Sequence, residues 1–460
     1  MKSLMLGDSF KDIFMFWVPE LISNAVLFCL PPLIDSYIVS SLNSNNLYGA
    51  MGLTITFLHF LSKLSEAIPV AAMAVIGRYN GAKQYDECGK YFGATFWTAC
   101  LLGLTQLVLV FFGASAIFYW LDVPQKMIAA GVPFLKLKSL GAFLIFITAG
   151  LIGFMRAVKN TTMPMILNMA GISMFIFFDY ALVLGKFGFP QMGLTGSAIA
   201  TIIQYGFMIA LGLIYIYKNP EYKKYFTDVV LYILDSKRIM HVINLSWPIM
   251  IDKGTLALSY VWLAKIIAPL GKYAIVTYDV VKNLERFAFL PAIASAQIIT
   301  FLVSNRLGAK DAKGATANMK KILILTGIIE LATLIIFSIN SGYFASFFDP
   351  KHKFSAMVAT TFPLISTLVV FDFIQLILAG ALRGSGDVKY VMWGRFLSCT
   401  LFFVPFSYIL SILPIESTTI KFTLIYGSFY ANTAMMGLIF LYRIKSHKWE
   451  KNKLNEVGNG

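Results

Sequence analysis

The sequence carries little charge for its length. Only 13% of its 460 residues are Asp, Glu, Lys or Arg, about half of the ~25% that soluble domains carry. Hydrophobic residues make up 58% of the chain, and a membrane-spanning helix needs about 20 mostly apolar residues in succession. This composition excludes a soluble globular protein, a disordered chain and, because barrels alternate apolar with polar residues, an outer-membrane barrel. We therefore predict an all-α, polytopic membrane protein.

Cysteine and histidine are also scarce. The four cysteines (Cys29, Cys88, Cys100 and Cys399) form no Cys-x-x-Cys pair, so the sequence has neither a disulfide framework nor a zinc-binding pattern. The four histidines form no His-Glu-x-x-His motif, and no Gly-x-x-x-x-Gly-Lys-Ser/Thr phosphate loop is present. The sequence thus indicates no enzyme, no metal site and no cofactor, and any transport is passive or driven by an ion gradient.

The excess of basic residues carries information about orientation. The formal net charge of +15 would suggest nucleic-acid binding in a soluble protein. Here 24 of the 38 Lys and Arg residues fall in the two tails and in every second loop, against 6 in the alternate loops. Because basic residues collect in cytoplasmic loops, we expect a multi-pass protein of the plasma (inner) membrane, with both termini in the cytoplasm and no nucleic-acid partner. The N-terminal segment has no small-residue cleavage site, so the first span is expected to be retained.

Apolar stretches long enough to span a membrane occur twelve times. They lie near 13–39, 49–76, 92–120, 132–155, 164–185, 195–217, 241–269, 274–303, 319–346, 355–382, 391–412 and 422–445. The longest polar connection separates six spans from six. We therefore divide the chain into an N-terminal six-helix bundle (1–217), a cytoplasmic linker (218–240), a C-terminal six-helix bundle (241–445) and a cytoplasmic tail (446–460).

The two halves contain an internal repeat. A Gly-Ala-Lys turn follows span 2 at Gly81 and span 8 at Gly308, and a Gly-x-x-Arg segment follows span 4 at Arg156 and span 10 at Arg383. Both pairs are 227 residues apart. Because six spans per repeat keep both halves in the same orientation, this is a parallel repeat with a pseudo-twofold axis along the membrane normal. Such a pair of halves is expected to enclose a central cleft in which a substrate binds.

Several segments resemble those of multidrug and toxic compound extrusion (MATE) transporters, and the resemblance covers residues 13–445. Its marks are Pro19 and Asp35 in span 1, the two Gly-Ala-Lys turns, GKFGFPQMGLTGSAIAT at 185–201, APLG at 268–271 and LRGSGD at 382–387. The major facilitator superfamily also has twelve spans in two parallel halves, but its charged motif after span 2 is missing here.

The resemblance implies a fold and a function. The fold is two six-helix bundles, V-shaped around a central cavity, in a monomer. The function is secondary antiport, in which a small organic solute, cationic or amphiphilic and of the multidrug type, is exported in exchange for H⁺ or Na⁺. An alternative is a flippase or exporter of a lipid-linked sugar or an anionic metabolite in the wider superfamily. A receptor or structural protein without transport is disfavoured, because a scaffold has no need of charges inside its spans.

Two carboxylates lie inside the spans of the first half. Each charge at the bilayer centre costs about 2.5–3.5 kcal/mol, so it normally faces protein or a water-filled cavity. Asp35 follows Pro31 and Pro32, which together with Pro19 are expected to bend the first helix and free backbone carbonyls. Asp179 lies in span 5, and two buried carboxylates close together would share a proton. The resemblance implies that Asp35 and Asp179 form the cation-coupling site of this half.

The second half has a third candidate for cation coupling. Asp372 in span 10 matches the family's second-half carboxylate, and Gln375, one turn later, is assigned to the cavity. Two positions depart from the family pattern. Phe175 stands one turn before Asp179 where the family often has Asn, so a Na⁺ site would lose an oxygen ligand and proton coupling is favoured. Leu256 stands where the family has an acidic partner in span 7.

Two spans carry a row of charges. Span 8 has Asp279, Lys282, Glu285 and Arg286, and span 2 has His59, Lys63 and Glu66. Spacings of three, four and seven residues place the members of each row on one helical face. The rows either line the substrate cavity or form salt bridges without ligand contact, and both interpretations remain open.

Four further charges lie in or near spans. Asp252 and Lys253 in span 7 are placed to extend the charged network. Lys136 and Lys138, near the outer end of span 4, are expected to direct their ammonium groups to the membrane surface.

Overall fold

A computed structural model describes residues 6–42, 44–120, 124–226, 235–346, 349 and 353–451. These residues are almost entirely helical, and none of them lies in a β-strand, so the predicted all-α fold is confirmed. Long runs of apolar residues form helices here because only a helix satisfies its own backbone polar groups within a single segment in lipid.

The first half of the chain contains seven α-helices. They are α1 (Phe10–Ser40), α2 (Asn45–Ser65), α3 (Ala67–Gly81), α4 (Tyr85–Trp120), α5 (Gln125–Ala157), α6 (Thr162–Leu184) and α7 (Leu194–Lys218). A short 3₁₀ helix, Pro220–Tyr225, follows α7. Helix α1 continues without a break past its three prolines.

The second half contains nine α-helices. They are α8 (Ser236–Ile267), α9 (Lys272–Ala288), α10 (Leu290–Gly308), α11 (Ala312–Ile339), α12 (Ser341–Ser346), α13 (Ser355–Gly384), α14 (Val388–Ser398), α15 (Val404–Ile412) and α16 (Thr418–Lys445). A π-helical stretch, Cys399–Phe403, joins α14 to α15. Short 3₁₀ helices lie at Ala268–Leu270 and Lys448–Lys451.

The spans agree with the sequence pattern except in one segment. Eleven helical segments within the described ranges are long and apolar enough to cross a membrane. They correspond to eleven of the twelve predicted spans, with α10 alone representing span 8. Helix α8, the predicted span 7, is 32 residues long but is not among them. Its apolar run is interrupted by Asp252 and Lys253 and ends near Lys265.

The internal repeat is visible in the backbone. Lys83 and Lys310, the lysines of the two Gly-Ala-Lys turns, both adopt left-handed conformations, with φ values of 61° and 59°. Lys159 and Gly386 do the same after the two repeat-related arginines, with φ values of 65° and 87°. Each of these turns closes its helix with amides that bond back to the last carbonyls, as in a Schellman motif. The repeated sequence thus ends equivalent helices in the same way.

The chain forms two compact units. One comprises Val18 to Met250, and the other comprises the chain from Ile251 onward together with the segment up to Trp17. In the first unit α5 packs against α2, α3, α4 and α7, and α6 packs against α7. In the second unit α13 packs against α10, α11 and α16. Large apolar side chains remain exposed on both units, which fits contact with lipid.

Candidate ion-coupling site

Asp35 lies deep in the first unit. Its residue on α1 is only 4% exposed, and one carboxylate oxygen accepts a hydrogen bond of 2.9 Å from the Ser197 hydroxyl on α7. The other oxygen lies 3.8 Å from the ammonium nitrogen of Lys138 on α5. A carboxylate in this setting is partly compensated, because it has one hydrogen bond and one cation at ion-pair distance.

Asp179 lies beside this group and is less well compensated. The residue, on α6, has no exposed surface, and neither carboxylate oxygen has a hydrogen-bond partner among the described residues. Its electrostatic neighbours are Asp35, Lys138 and Ser197. The structure therefore brings Asp35 and Asp179 together, with α1, α5, α6 and α7 each contributing one polar side chain.

Lys138 does not direct its ammonium group to the membrane surface, so that expectation was wrong. The residue is 8% exposed. Its ammonium group donates a hydrogen bond of 2.8 Å to the Thr201 hydroxyl and lies 5.4 Å and 5.6 Å from the ring centres of Phe134 and Phe175. The expectation failed because it treated Lys138 by its position along the span, whereas the helical face decides what the side chain contacts. A Lys inside an apolar run, four residues after an aromatic residue, was the available signal.

Asp372 and Gln375 lie together in the second unit, one turn apart on α13. The Gln375 amide donates a hydrogen bond of 2.8 Å to Asp372, and Arg395 on α14 reaches the Gln375 oxygen at 3.4 Å. Gln375 is buried, whereas Asp372 is half-buried. The Gln375 amide group thus connects Asp372 to a cation.

A buried ion pair occurs in each unit and involves the arginines of the repeat. Arg156 donates two hydrogen bonds, of 2.7 Å and 2.6 Å, to Glu20 on α1. Arg383 donates one of 2.5 Å to Asp252 on α8, and Arg395 donates a second of 2.5 Å to the same carboxylate. We predicted the arginines only as repeat landmarks and Asp252 only as part of a network. An acid in the first span of each half, together with the repeated arginine, was the overlooked signal.

Two further buried acids lie in the second unit. Glu285 on α9 is 8% exposed and accepts a hydrogen bond from the Tyr426 hydroxyl on α16. Glu330 on α11 has no exposed surface and was not predicted as a site residue. Both residues interact electrostatically with Asp372. Glu330 is the sole acid in a long apolar run, the same signal that identified Asp179.

The charged rows of spans 2 and 8 consist partly of salt bridges. Lys63 and Glu66 form an ion pair of 2.6 Å, and Asp279 and Lys282 one of 3.6 Å. The structure divides the row of span 8, because Asp279, Lys282 and Arg286 are partly or largely exposed whereas Glu285 is buried. Helical geometry explains the division, since Glu285 is the one member displaced by a residue from the three-and-four spacing.

The remaining predicted residues have less to add. Pro19 is buried and Pro31 is half-buried on α1, while the side chains of His59 and Pro32 lie outside the described residues. In the described ranges no three His, Cys, Asp or Glu residues lie close enough together to hold a metal ion.

The chain is similar to known transport proteins in sequence and fold. The family model MatE matches residues 20–181 and residues 248–409. The probable multidrug resistance protein NorM of Idiomarina loihiensis is 24% identical over 349 residues, which are 75% of this chain and 74% of that protein. The crystal structure of a mutant of VcmN, a MATE transporter of Vibrio cholerae, superposes with a TM-score of 0.86 at 16% identity, over 96% of this chain and 98% of that one.

A transporter of the MOP superfamily from Pyrococcus furiosus, for which reverse polarity of the binding pocket suggests a different function, gives the same TM-score of 0.86 at 16% identity, over 98% of each chain. The structural likenesses establish the fold. The family match falls once in each half, at ranges of equal length that follow the internal repeat. Because these two ranges together cover most of the sequence, the chain belongs to the MatE family of membrane transporters.

Proposed function

We propose that this protein is a proton-driven antiporter that exports organic solutes, cationic or amphiphilic, across the plasma membrane, with both termini in the cytoplasm. The observation that carries the proposal is the buried group of Asp35, Asp179 and Lys138. The relative from Idiomarina loihiensis, named a probable multidrug resistance protein, supports the substrate class.

The charges of this group favour one proton as the coupling ion. With both carboxylates ionised and the Lys138 ammonium protonated, the group has a net charge of −1. One added proton makes it neutral, which removes the cost of a net charge in a medium of low dielectric constant. A Na⁺ ion would compete with an ammonium group that is already at 3.8 Å from Asp35. Phe175 offers it a ring face where an oxygen ligand would be needed.

The exchange follows from this neutralisation. Asp179 has no hydrogen-bond partner among the described side chains and main-chain groups, so it is the carboxylate that gains most from a proton. Protonation from the outside neutralises the group, α1 bends at its prolines, and the bound solute is released outward. Loss of the proton to the inside restores the negative charge, which attracts the next cationic solute. Transport of solute and proton in opposite directions is the result.

The experiment uses the full chain in proteoliposomes loaded with tetraphenylphosphonium, a permanent cation that a pH gradient alone does not trap. A proton gradient should drive its export, whereas a Na⁺ gradient of the same size should not. Asp35→Asn should reduce the proton-driven rate at least tenfold, which corresponds to about 1.4 kcal/mol of lost coupling. Glu416→Gln, at an exposed loop residue between α15 and α16, is the matched control. A wild-type rate from Asp35→Asn under the proton gradient would falsify the proposal.

A second candidate function is export or flipping of an anionic lipid-linked sugar or metabolite. The exposed cations Lys282 and Arg286 on α9, and the likeness to the Pyrococcus furiosus transporter of reverse pocket polarity, favour it. A fluorescent lipid-flipping assay in the same proteoliposomes separates the two functions. Gradient-independent flipping, with no export of tetraphenylphosphonium, supports the second function.

A further inference from the structure

Glu330 is a buried acid with no hydrogen-bond partner in the part of the chain that the structure describes. It lies on the face of α11 that also contains Ile322, Thr326 and Leu334, four buried residues spaced four apart. This spacing forms one straight stripe along a helix, so Glu330 faces the interior of its unit and not lipid. The Thr326 hydroxyl, one turn earlier, donates a hydrogen bond of 2.6 Å to Ser295 on α10. The stripe therefore packs against α10.

The surroundings of Glu330 offer no cation to pair with it. Its electrostatic neighbours are the carboxylate of Asp372 on α13 and the backbone amide of Ala292 on α10, yet neither oxygen of Glu330 makes a hydrogen bond within the described residues. Ala292 lies in the first turn of α10, where amide groups have no intrahelical partner. Helix α10 starts at Leu290, one residue after α9 ends, and has no side-chain cap.

The cation near this cluster is already paired. Arg395 on α14 interacts with Asp372, but its hydrogen bond of 2.5 Å goes to Asp252. From α9, Glu285 adds another acid that interacts with Asp372, and one of its oxygens has no hydrogen-bond partner among the described groups. From α8 and α16, tyrosines contribute neutral hydroxyl groups: Tyr260 and Tyr430 interact with Asp372, and Tyr426 donates to Glu285.

Three acids from three helices thus face one another with a single cation, which is held by a fourth acid. An isolated ionised carboxylate in a buried site is so unfavourable that the group takes up a proton instead. Acids that interact this strongly titrate as a unit, so a proton on one of them is shared in effect with the others. The three acids are not close enough together to form a metal site, which leaves H⁺ as the ligand.

We propose that Glu330, together with Asp372 and Glu285, forms a second proton-binding site, in the second half of the chain. The proton adds to a carboxylate oxygen of Glu330 or Asp372, and no other bond forms or breaks. This use in transport rests on the proposed function, whereas the binding of the proton does not. The sequence repeat has no counterpart for Glu330, since the position 227 residues earlier is Gly103. The two halves therefore bind protons with different residues.

The test is infrared difference spectroscopy of the full chain in lipid, titrated from acid to alkaline pH. A protonated buried carboxyl gives a carbonyl band distinct from that of ionised carboxylates. The wild-type spectrum should contain such a band at neutral pH, and Glu330→Gln, which keeps the shape of the side chain, should lose it. Glu416→Gln, the exposed control, should keep it. An unchanged band in Glu330→Gln overturns the proposal.

Two further measurements protect this test. If Glu330→Gln does not fold, Asp372→Asn is used: the Glu330 band should remain, but the pH at which it is lost should change, and an identical titration overturns the proposal. Addition of Na⁺ at constant pH should leave the wild-type band intact, and its loss on Na⁺ addition overturns the assignment of H⁺ as the ligand. The band does not depend on export, so failure of the Asp35→Asn experiment and failure of this one are distinguishable.

Discussion

Arg156 on α5 binds Glu20 on α1 through two parallel hydrogen bonds, of 2.7 Å and 2.6 Å, and both residues are buried. The repeat places Arg383 in the same position of the second half, where it binds Asp252. In each half the arginine that precedes the left-handed turn thus pairs with an acid from the first long helix of that half. The conserved element of the repeat is this ion pair, and the acids differ in type and in exact spacing.

This pair leads to a prediction about stability. Arg156→Ala leaves the fully buried Glu20 carboxylate without its cation, and loss of one partner of a buried pair costs about 3–5 kcal/mol. Arg156→Lys should recover only part of this, since an ammonium group cannot form two parallel hydrogen bonds with one carboxylate. Thermal unfolding of the purified protein in detergent measures the effect. Lys186→Ala, at an exposed loop residue, should have no effect, and equal melting temperatures for the two alanine variants contradict the prediction.

A second prediction concerns Lys138. Replacing it with Gln removes the ammonium group and leaves Asp35 and Asp179 with a net charge of −2 when both are ionised. A Na⁺ ion then meets no internal competitor, and a Na⁺ gradient should begin to drive export. A tenfold rise in the Na⁺-driven rate corresponds to about 1.4 kcal/mol. Lys136→Gln, two residues away on the same helix and with its ammonium over the Phe111 ring, is the control. The same Na⁺ response in both variants would show that local charge is not the cause.

The sequence predicted the fold well, because its evidence is spread over many residues. Apolar runs, the basic-residue bias and the 227-residue repeat each average over long segments, and local irregularities do not disturb them. The paired acids Asp35 and Asp179 could also be predicted, since a lone acid in an apolar run stands out. What could not be predicted is which side chains from distant segments meet. Lys138 sits 63 residues from Thr201 and 103 from Asp35, and only the packing of the helices determines that these groups come together.

A prediction about pH dependence follows from Asp235, which lies just before α8 and outside the membrane spans. Although desolvation opposes the effect, hydrogen bonds from the Arg238 and Lys237 amides and the charge of Arg238 hold the pKa of Asp235 below its usual value. A depressed pKa means that the carboxylate stabilises the fold above the pKa of the unfolded chain, near 3.9, and that this contribution is lost as the pH falls through the folded pKa.

The variant that tests it is Asp235→Ala, because a residue that caps the start of a helix contributes about 1 kcal/mol. Hydrogen exchange of the first-turn amides of α8 should be faster in the variant at neutral pH, and the difference from wild type should vanish in strong acid. Asp12→Ala, which removes a similar acid from the first turn of α1, shows whether the effect is local to α8. A difference that persists unchanged at low pH contradicts the role of the ionised carboxylate.

The last prediction joins Phe175 to Lys138. The Phe175 ring lies 5.6 Å from the Lys138 ammonium, so the ring and the cation together occupy the place where oxygen ligands for Na⁺ would be needed. Phe175→Asn alone should lower stability by about 3 kcal/mol, through loss of a buried ring, without making export Na⁺-driven, because the ammonium group remains. Phe175→Asn with Lys138→Gln should give a Na⁺-driven rate above that of Lys138→Gln alone. The Na⁺-driven rates of the two single variants and the double variant in proteoliposomes form a double-mutant cycle. If the two substitutions act independently, the ring and the ammonium group do not exclude Na⁺ jointly. A rate in the double variant that exceeds the product of the single effects shows that they do.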